Sequence, residues 1–175
     1  MERKKEADME LSKIAFGGGC HWCTEAVFQS LNGVSKVEQG YIASTDENSS
    51  FSEAVIVRFN AEVISLKTLI EVHIHTHKSM SDHSMRDKYR SAIYTYSDNQ
   101  KNESNLILNH FQKDFENKLI TKALPFKEFK ASREPIQNYY QKNPKKPFCE
   151  TFINPKLKLL LSKFSNQVNK EKINI

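Results

Sequence analysis

The spacing of apolar residues alternates between strand-like and helix-like patterns along the first half of the chain. A short strand ending in a glycine turn is predicted by SKIAFGG, and residues 20 to about 31 then carry apolar side chains at helical spacing. A second strand is predicted by VSKVEQGYIAS and a third by EAVIVRF. One face of the third strand carries Glu53, Val55, Val57 and Phe59. A second helix is predicted by SLKTLIEVHIHTH, where apolar residues recur three and four apart.

The second half of the chain continues this alternation. A fourth strand is predicted by the aromatic-rich YRSAIYTYS, and an amphipathic helix by NLILNHFQKDFEN. A further strand is expected in ITKALPF, a short helix in EPIQNYYQKNP, and a last helix with an apolar stripe between residues 157 and 168. The first six elements follow the split βαβ order. We therefore expect an α+β fold, with a two-layer ferredoxin-like core, additional helices and an irregular C-terminal segment.

Composition sets the class of protein. The chain has 175 residues, of which 38% are hydrophobic and 27% charged, as in a soluble globular domain. We expect a charged, flexible N-terminal extension over residues 1–12 and a single domain over residues 13–175. The net charge of +5 is scattered and lacks regularly interleaved aromatics, which disfavours nucleic-acid binding. No stretch resembles a membrane span or a secretory signal, so a cytoplasmic monomer is expected, with no membrane partner.

The chemistry concentrates in FGGGCHWCTEAVF, residues 16–28. Three cysteines are too few for a disulfide scaffold and fit thiols used for chemistry in a reducing compartment. Cys20 and Cys23 have the spacing of a zinc knuckle, but a second ligand pair is required. The histidine candidates for that pair are His73, His75, His77 and His83. Thiol chemistry is the stronger hypothesis, because a helix N-terminus stabilises a thiolate at Cys20.

Several separated blocks resemble the peptide methionine sulfoxide reductases of the A type. They are GGGCHWCTEAVF, VEQGYIAS, FSEAVIVRF, KYRSAIYTY and NYYQKNPKKPFC, in family order, over residues 13–149. The resemblance implies a two-layer α+β fold and reduction of methionine-S-sulfoxide, free or in proteins, to methionine. It implies no bound cofactor, and thioredoxin or a similar dithiol as reductant.

The resemblance also assigns roles to individual residues. Cys20 is the nucleophile by position and by resemblance, and Glu53 is the acid that protonates the sulfoxide oxygen. Tyr41 and Tyr89 match tyrosines whose hydroxyls bind that oxygen. Trp22, with His21 beside it, would pack the S-methyl group of the substrate.

The second half-reaction has two candidate thiols. The first attack leaves a sulfenic acid on Cys20, which a second thiol converts into a disulfide. Cys149 lies where many members of the family carry this resolving cysteine, and is favoured over Cys23 on access and mobility. If Cys20 and Cys23 are instead the redox pair, the chain is a generic CxxC thiol–disulfide oxidoreductase. A zinc-dependent interaction module is the non-enzymatic alternative.

Departures from the family pattern fall at three places, one of which is the absence of the usual glycine pair after Tyr41. His21 stands where the family mostly has Phe, and a protonated imidazole there would lower the pKa of Cys20. In DHSMRDKYRS, Ser84 falls at the position of a family Asp, with Asp82, His83 or Asp87 to compensate. Arg90 is expected to orient this loop by ion pairing.

Overall fold

The computed structural model describes residues 12–175, and the predicted N-terminal extension lies outside them apart from Ser12, which begins the first strand. The strands are β1 (Ser12–Gly17), β2 (Val34–Ala43), β3 (Ser52–Phe59), β4 (Ala92–Thr95), β5 (Lys122–Pro125) and β6 (Glu128–Ala131). The α-helices are α1 (His21–Gln29), α2 (Leu66–His75), α3 (Asp98–Phe111), α4 (Tyr139–Lys142) and α5 (Asn154–Lys163). A π-helical turn, Cys149–Ile153, leads into α5.

The six strands form one sheet in the order β5-β4-β1-β3-β2-β6. Its four central strands are antiparallel and have the predicted split βαβ topology, which confirms the ferredoxin-like core. β5 extends the sheet in parallel to β4, and β6 pairs with β2 at the other edge. β6 was not predicted, because a four-residue edge strand exposed on most of its length has no apolar alternation to signal it.

The helices α1 and α2 cover one face of the sheet and form the main core with it. Phe28 of α1 stacks on Phe16 of β1, with ring centroids 4.7 Å apart. The opposite face has a smaller apolar cluster, made by Ala15, Ile42, Ala54, Ile56, Ala92 and Tyr94. Glu53 lies at the start of β3 and points to the helix side with Val55 and Val57, as the alternation predicted.

Three helices differ in extent from their predicted bounds, and of these α4 covers only Tyr139–Lys142 of the predicted EPIQNYYQKNP. α3 begins earlier, at Asp98, because the Ser97 side chain caps it by accepting a hydrogen bond from the Gln100 N–H (3.1 Å). α5 ends at Lys163, so Val168 is not helical as predicted; it forms an isolated bridge with Leu31. None of the helices within residues 12–175 is long and apolar enough to cross a membrane.

Candidate active site

The loop between β1 and α1, Gly17 to Cys20, presents the nucleophile at the start of a helix. Cys20 is the N-cap residue of α1 and is half-buried. Hydrogen bonds from the Cys23 thiol, and from the Trp22 and Cys23 peptide N–H groups, lower the pKa of the Cys20 thiol, against the opposing effect of burial. Gly18 has a φ of +156°, and a Cβ there would lie 2.5 Å from the His77 ring. This nucleophile loop therefore requires glycine at that position.

The other two cysteines lie in different surroundings. Cys23 is buried, and its interaction with Cys20 together with its burial raises its pKa, so it stays a thiol; its Sγ lies 3.9 Å from the Phe152 carbonyl oxygen. Cys149 is fully buried, with its Sγ 3.5 Å from the Asn143 carbonyl oxygen, and burial raises its pKa. In this conformation Cys23, and not Cys149, faces the nucleophile.

The Glu53 carboxyl group lies at the same helix N-terminus as Cys20. Its Oε1 accepts a hydrogen bond from the His21 peptide N–H (3.1 Å), and its Oε2 is 3.7 Å from the Lys88 ammonium group. The side chain is 7% exposed. The first peptide N–H of α1 therefore serves the carboxyl group, while the Cys23 peptide N–H donates to the Cys20 carbonyl oxygen (3.0 Å).

His21 is buried between Glu53 and the sheet. Its Nδ1 lies 2.9 Å from the Gly40 carbonyl oxygen, and its Nε2 lies 3.4 Å from Glu53 Oε1. The ring meets Tyr41 edge-on, with centroids 5.2 Å apart. Burial lowers the pKa of His21, so the ring is neutral at pH 7. The positive charge that a protonated His21 ring would place beside Cys20 is therefore absent.

A cleft of about 430 Å³ opens at Cys20. It is lined by Gly18, Gly19, Cys20, Cys23, His77, Lys78, His83, Met85, Tyr89, Phe148, Phe152 and Lys156. Tyr89 is thus beside the nucleophile, whereas Tyr41 lies opposite Glu53 in the register of β2 and β3. Lys156, which comes from α5, and the aromatic rings of Phe148 and Phe152 carried no sequence signal that links them to this site.

Trp22 is not part of the lining of this cleft. Its ring stacks on Tyr139, with centroids 4.1 Å apart and planes 6° apart, and meets Phe148 edge-on at 5.1 Å. Tyr139 is held by Glu25, whose buried carboxyl group accepts hydrogen bonds from the peptide N–H groups of Asn138 (2.9 Å) and Tyr139 (3.1 Å). One face of Trp22 is therefore covered by residues 134–153, which we call the covering segment.

The loop before β4 holds the nucleophile loop through an arginine that the sequence did not single out. Arg86 Nη1 donates to the carbonyl oxygens of Gly18 and Tyr89, both at 2.8 Å. Ser84 is exposed, Asp82 and Asp87 are exposed too, and His83 accepts a hydrogen bond from the Met85 N–H. The sequence did carry one indication of this role: an arginine in the loop can donate hydrogen bonds to carbonyl groups that are buried away from water.

Arg90 orients the loop differently from the prediction. Its Nη2 donates to the Ser50 carbonyl and hydroxyl oxygens (both 2.9 Å), and its Nη1 to the Tyr94 hydroxyl (3.1 Å). Within residues 12–175 it makes no ion pair. The Ser50 and Tyr94 oxygens are nearer than any carboxylate, so hydrogen bonds replace the predicted ion pairing.

The two histidines proposed as zinc ligands on one helix face are hydrogen-bonded elsewhere. His73 Nε2 lies 2.7 Å from the Gly17 carbonyl oxygen, His77 Nδ1 lies 2.6 Å from the His73 carbonyl oxygen, and His77 Nε2 lies 2.7 Å from Ser91 Oγ. Burial lowers the pKa of both rings, that of His73 to about 4. They support the nucleophile loop as neutral rings. The His75 side chain lies near Glu71 and Asp114, apart from the cysteines.

A ferredoxin-like α+β domain with a thiol of lowered pKa at a helix N-terminus, a second thiol on the same cleft and a buried carboxyl group nearby defines a thiol-dependent oxidoreductase. The family model "Peptide methionine sulfoxide reductase" matches residues 12–169, and the chain belongs to that family. It is an oxidoreductase of the MsrA type.

Individual relatives agree with this assignment. The MsrA of Trichodesmium erythraeum is 33% identical, over 91% of this chain and 99% of its own length. Mxr1 from Saccharomyces cerevisiae in reduced form is 27% identical, with a TM-score of 0.69, over 81% of this chain and 91% of its own. Mxr1 in complex with Trx2 is 26% identical, with a TM-score of 0.60, over 74% and 84% of the two chains.

Proposed function

We propose that this chain reduces methionine-S-sulfoxide, free or in proteins, with Cys20 as nucleophile and Glu53 as proton donor. The observation that supports the proposal is that the Cys20 thiol and the Glu53 carboxyl group lie at the same N-terminus of α1. The Cys20 thiolate attacks the sulfoxide sulfur, and Glu53 gives a proton to the sulfoxide oxygen. Methionine leaves, and Cys20 retains the oxygen as a sulfenic acid.

The hydroxyl groups of Tyr41 and Tyr89 are proposed to bind the sulfoxide oxygen. Tyr89 lines the cleft with Cys20, and Tyr41 is the neighbour of Glu53 across two strands. Trp22 and the His21 ring are proposed to support the methyl group, with Trp22 braced from behind by Tyr139. Ser84 is exposed, so we propose that Arg86 and Arg90 maintain the loop in its place.

The sulfenic acid is proposed to condense with a second thiol, giving a disulfide and water. The sequence favours Cys149 for this step. The position of Cys23 supports Cys23 instead, because it lines the same cleft as Cys20, whereas Cys149 must first leave its position against Asn143. A dithiol protein of the thioredoxin type is the proposed reductant, and the complex of Mxr1 with Trx2 supports this choice.

All the reacting groups belong to one chain, so we propose that a monomer is sufficient for turnover. Three free thiols also fit a reducing compartment, and we propose the cytoplasm as the place of action.

The test offers both sulfoxide epimers to the protein with dithiothreitol as reductant. We expect turnover of the S-epimer alone, and none after Cys20→Ser. Absence of stereoselective turnover, or full activity in Cys20→Ser, would overturn the proposal. Mass spectrometry of the disulfide trapped after one turnover then distinguishes a Cys20–Cys23 bridge from a Cys20–Cys149 bridge, with Cys23→Ser and Cys149→Ser as the matched pair.

The placement of Cys20 and Cys23 on one cleft also supports a second activity, the reduction of protein disulfides by a CxxC pair. Insulin reduction separates the two. The CxxC activity requires Cys23 and not Glu53, whereas the sulfoxide reductase requires Glu53.

A further inference from the structure

The cleft at Cys20 is lined by lysines and by no carboxyl group. Lys78 lies in the turn after α2 and Lys156 on α5, and none of the lining residues in the described part of the chain is Asp or Glu. We propose that this cleft selects methionine sulfoxides that carry a carboxylate close to the sulfoxide group, and that Lys156 and Lys78 are the specificity-determining residues that bind this carboxylate. The inference rests on the proposed function, since the selected substrate is reduced at Cys20.

The charges of these two lysines are not neutralised by the protein. Among residues 12–175, neither lysine forms an ion pair. Lys88 differs in this respect, because its ammonium group lies 3.7 Å from Glu53 Oε2. The groups whose charge acts on Lys156 are the two cysteine thiols of the cleft and Lys78. The cleft therefore has a positive potential that a bound anion would neutralise.

The position of Lys156 suits it to bind an anion. Its ammonium group donates to the Thr76 carbonyl oxygen, at the C-terminal end of α2. An ammonium group has three N–H donors, so two remain for the cleft. The side chain is half-buried, and the loss of hydration that goes with burial lowers the pKa of Lys156. A substrate carboxylate would replace that hydration with a charge-assisted hydrogen bond.

Lys78 has a weaker but supporting part. It is exposed, and its positive charge disfavours that of Lys156. A carboxylate bound beside both ammonium groups would reduce this repulsion. Lys156 thus supplies the fixed donor, and Lys78 adds to the attraction.

The remaining wall of the cleft is largely apolar. The rings of Phe148 and Phe152 have centroids 4.9 Å apart, and Met85 lines the same cleft. Phe152 is 54% exposed and Met85 is 50% exposed, so this wall is open to a ligand. It suits the methylene and methyl groups of a methionine sulfoxide side chain. The lining as a whole fits a substrate that joins an apolar side chain to a carboxylate.

The first experiment compares two pairs of substrates with the wild-type protein. N-acetylmethionine-S-sulfoxide is paired with its methylamide, which lacks the α-carboxylate. A peptide in which Asp precedes methionine-S-sulfoxide is paired with the same peptide carrying Asn, both blocked at their ends. We expect kcat/KM to be about three- to tenfold higher for the carboxylate member of a pair, through a lower KM. The difference should shrink in about 1 M NaCl.

The pair that shows the difference identifies the source of the carboxylate: the α-carboxylate in the first pair, an acidic neighbour in the second. Equal kcat/KM within both pairs overturns the inference, and so does a difference that salt leaves unchanged. No turnover of any of the four substrates overturns the proposed function instead.

The second experiment removes the positive charges. Lys156→Met and Lys78→Met keep most of the side-chain length and lose the ammonium group. Each is expected to raise KM for the carboxylate substrate, and the double variant to abolish the preference. Lys158→Met, at an exposed position of α5 outside the cleft, is the matched control and should retain it. Because Lys78 is exposed, Lys78→Met tests the inference even if Lys156→Met fails to fold. A full preference in the folded variants overturns it.

Discussion

The nucleophile loop and the covering segment both line the cleft at Cys20, but different interactions hold them. Three side chains hold the loop: the Gly17 carbonyl accepts from His73, the Gly18 carbonyl accepts from Arg86, and the His77 ring fills the space beside Gly18. The start of the covering segment is held by hydrogen bonds to Glu25, Gln29 and Gln39 and by stacking of Tyr139 on Trp22, and its later part by side chains buried in the main core. The loop is therefore fixed through its own backbone carbonyl groups, whereas the start of the segment depends on a few polar side chains and can loosen when one is lost.

Substitution of Glu53, which lies at the same helix N-terminus as the nucleophile, has the largest expected effect. Glu53→Gln keeps an oxygen that accepts from the His21 peptide N–H, but it removes the proton donor. We expect the rate of methionine release in a single turnover to fall by roughly 10² to 10⁴-fold, the usual contribution of a general acid. Circular dichroism should show an unchanged fold. A decrease of less than about threefold would remove Glu53 from the role of acid.

The pH dependence of stability tests how the loop is held. Burial lowers the pKa of His73 to about 4 in the folded protein, so the unfolded chain takes up a proton first as the pH falls below 6.5. This contribution to stability is complete above that pH and is lost toward pH 4. We expect His73 alone to remove roughly 2 to 3 kcal/mol from the free energy of unfolding between pH 7.5 and 4.5.

The measurement is urea unfolding at several pH values. His73→Gln keeps a donor for the Gly17 carbonyl oxygen and does not titrate, so its free energy of unfolding should vary less steeply with pH. His110→Gln, at an exposed position of α3, is the matched control and should keep the wild-type slope. Equal slopes in all three proteins would show that His73 does not contribute in this way.

The fold, and the placement of Cys20 and Cys23 at the start of α1, were predictable from sequence. Both depend on the pattern of neighbouring residues, which the sequence shows directly. The strand alternation placed Glu53 on the helix side, and the element order gave the central sheet. Contacts between distant segments were not predictable in this way. Arg86 donates to the Gly18 carbonyl oxygen, and Glu25 accepts from the Asn138 peptide N–H. The partners are far apart in the sequence, and no pattern in the neighbouring residues indicates either pair.

The neutral state of His21 was not predictable for a related reason. The sequence places an imidazole next to Cys20, and an imidazole can be neutral or charged near pH 7. Burial against the sheet and the Gly40 carbonyl group decide its protonation state, and both follow from tertiary packing.

The smallest expected effect tests the weaker hold on the covering segment. Glu25 accepts hydrogen bonds from two peptide N–H groups and from the Gln39 side chain at 3.0 Å, and it is 1% exposed. Glu25→Gln replaces one acceptor oxygen with an amide NH₂ that faces a donor. We expect a loss of about 1 to 3 kcal/mol in the free energy of unfolding, together with loosening of α4.

Trp22 is the single tryptophan of the chain, so its fluorescence reports this loosening directly. When Tyr139 leaves its ring, the emission should shift to longer wavelength and become more accessible to iodide, and Cys149 should react faster with a thiol reagent. Glu62→Gln, an exposed carboxyl group in the turn after β3, is the control and should change neither. If Glu25→Gln lowers stability while Trp22 emission and Cys149 labelling stay as in the wild type, the segment is held by contacts other than Glu25. The contrast with the nucleophile loop would then be lost, because the covering segment would also keep its place after the loss of a single buried partner.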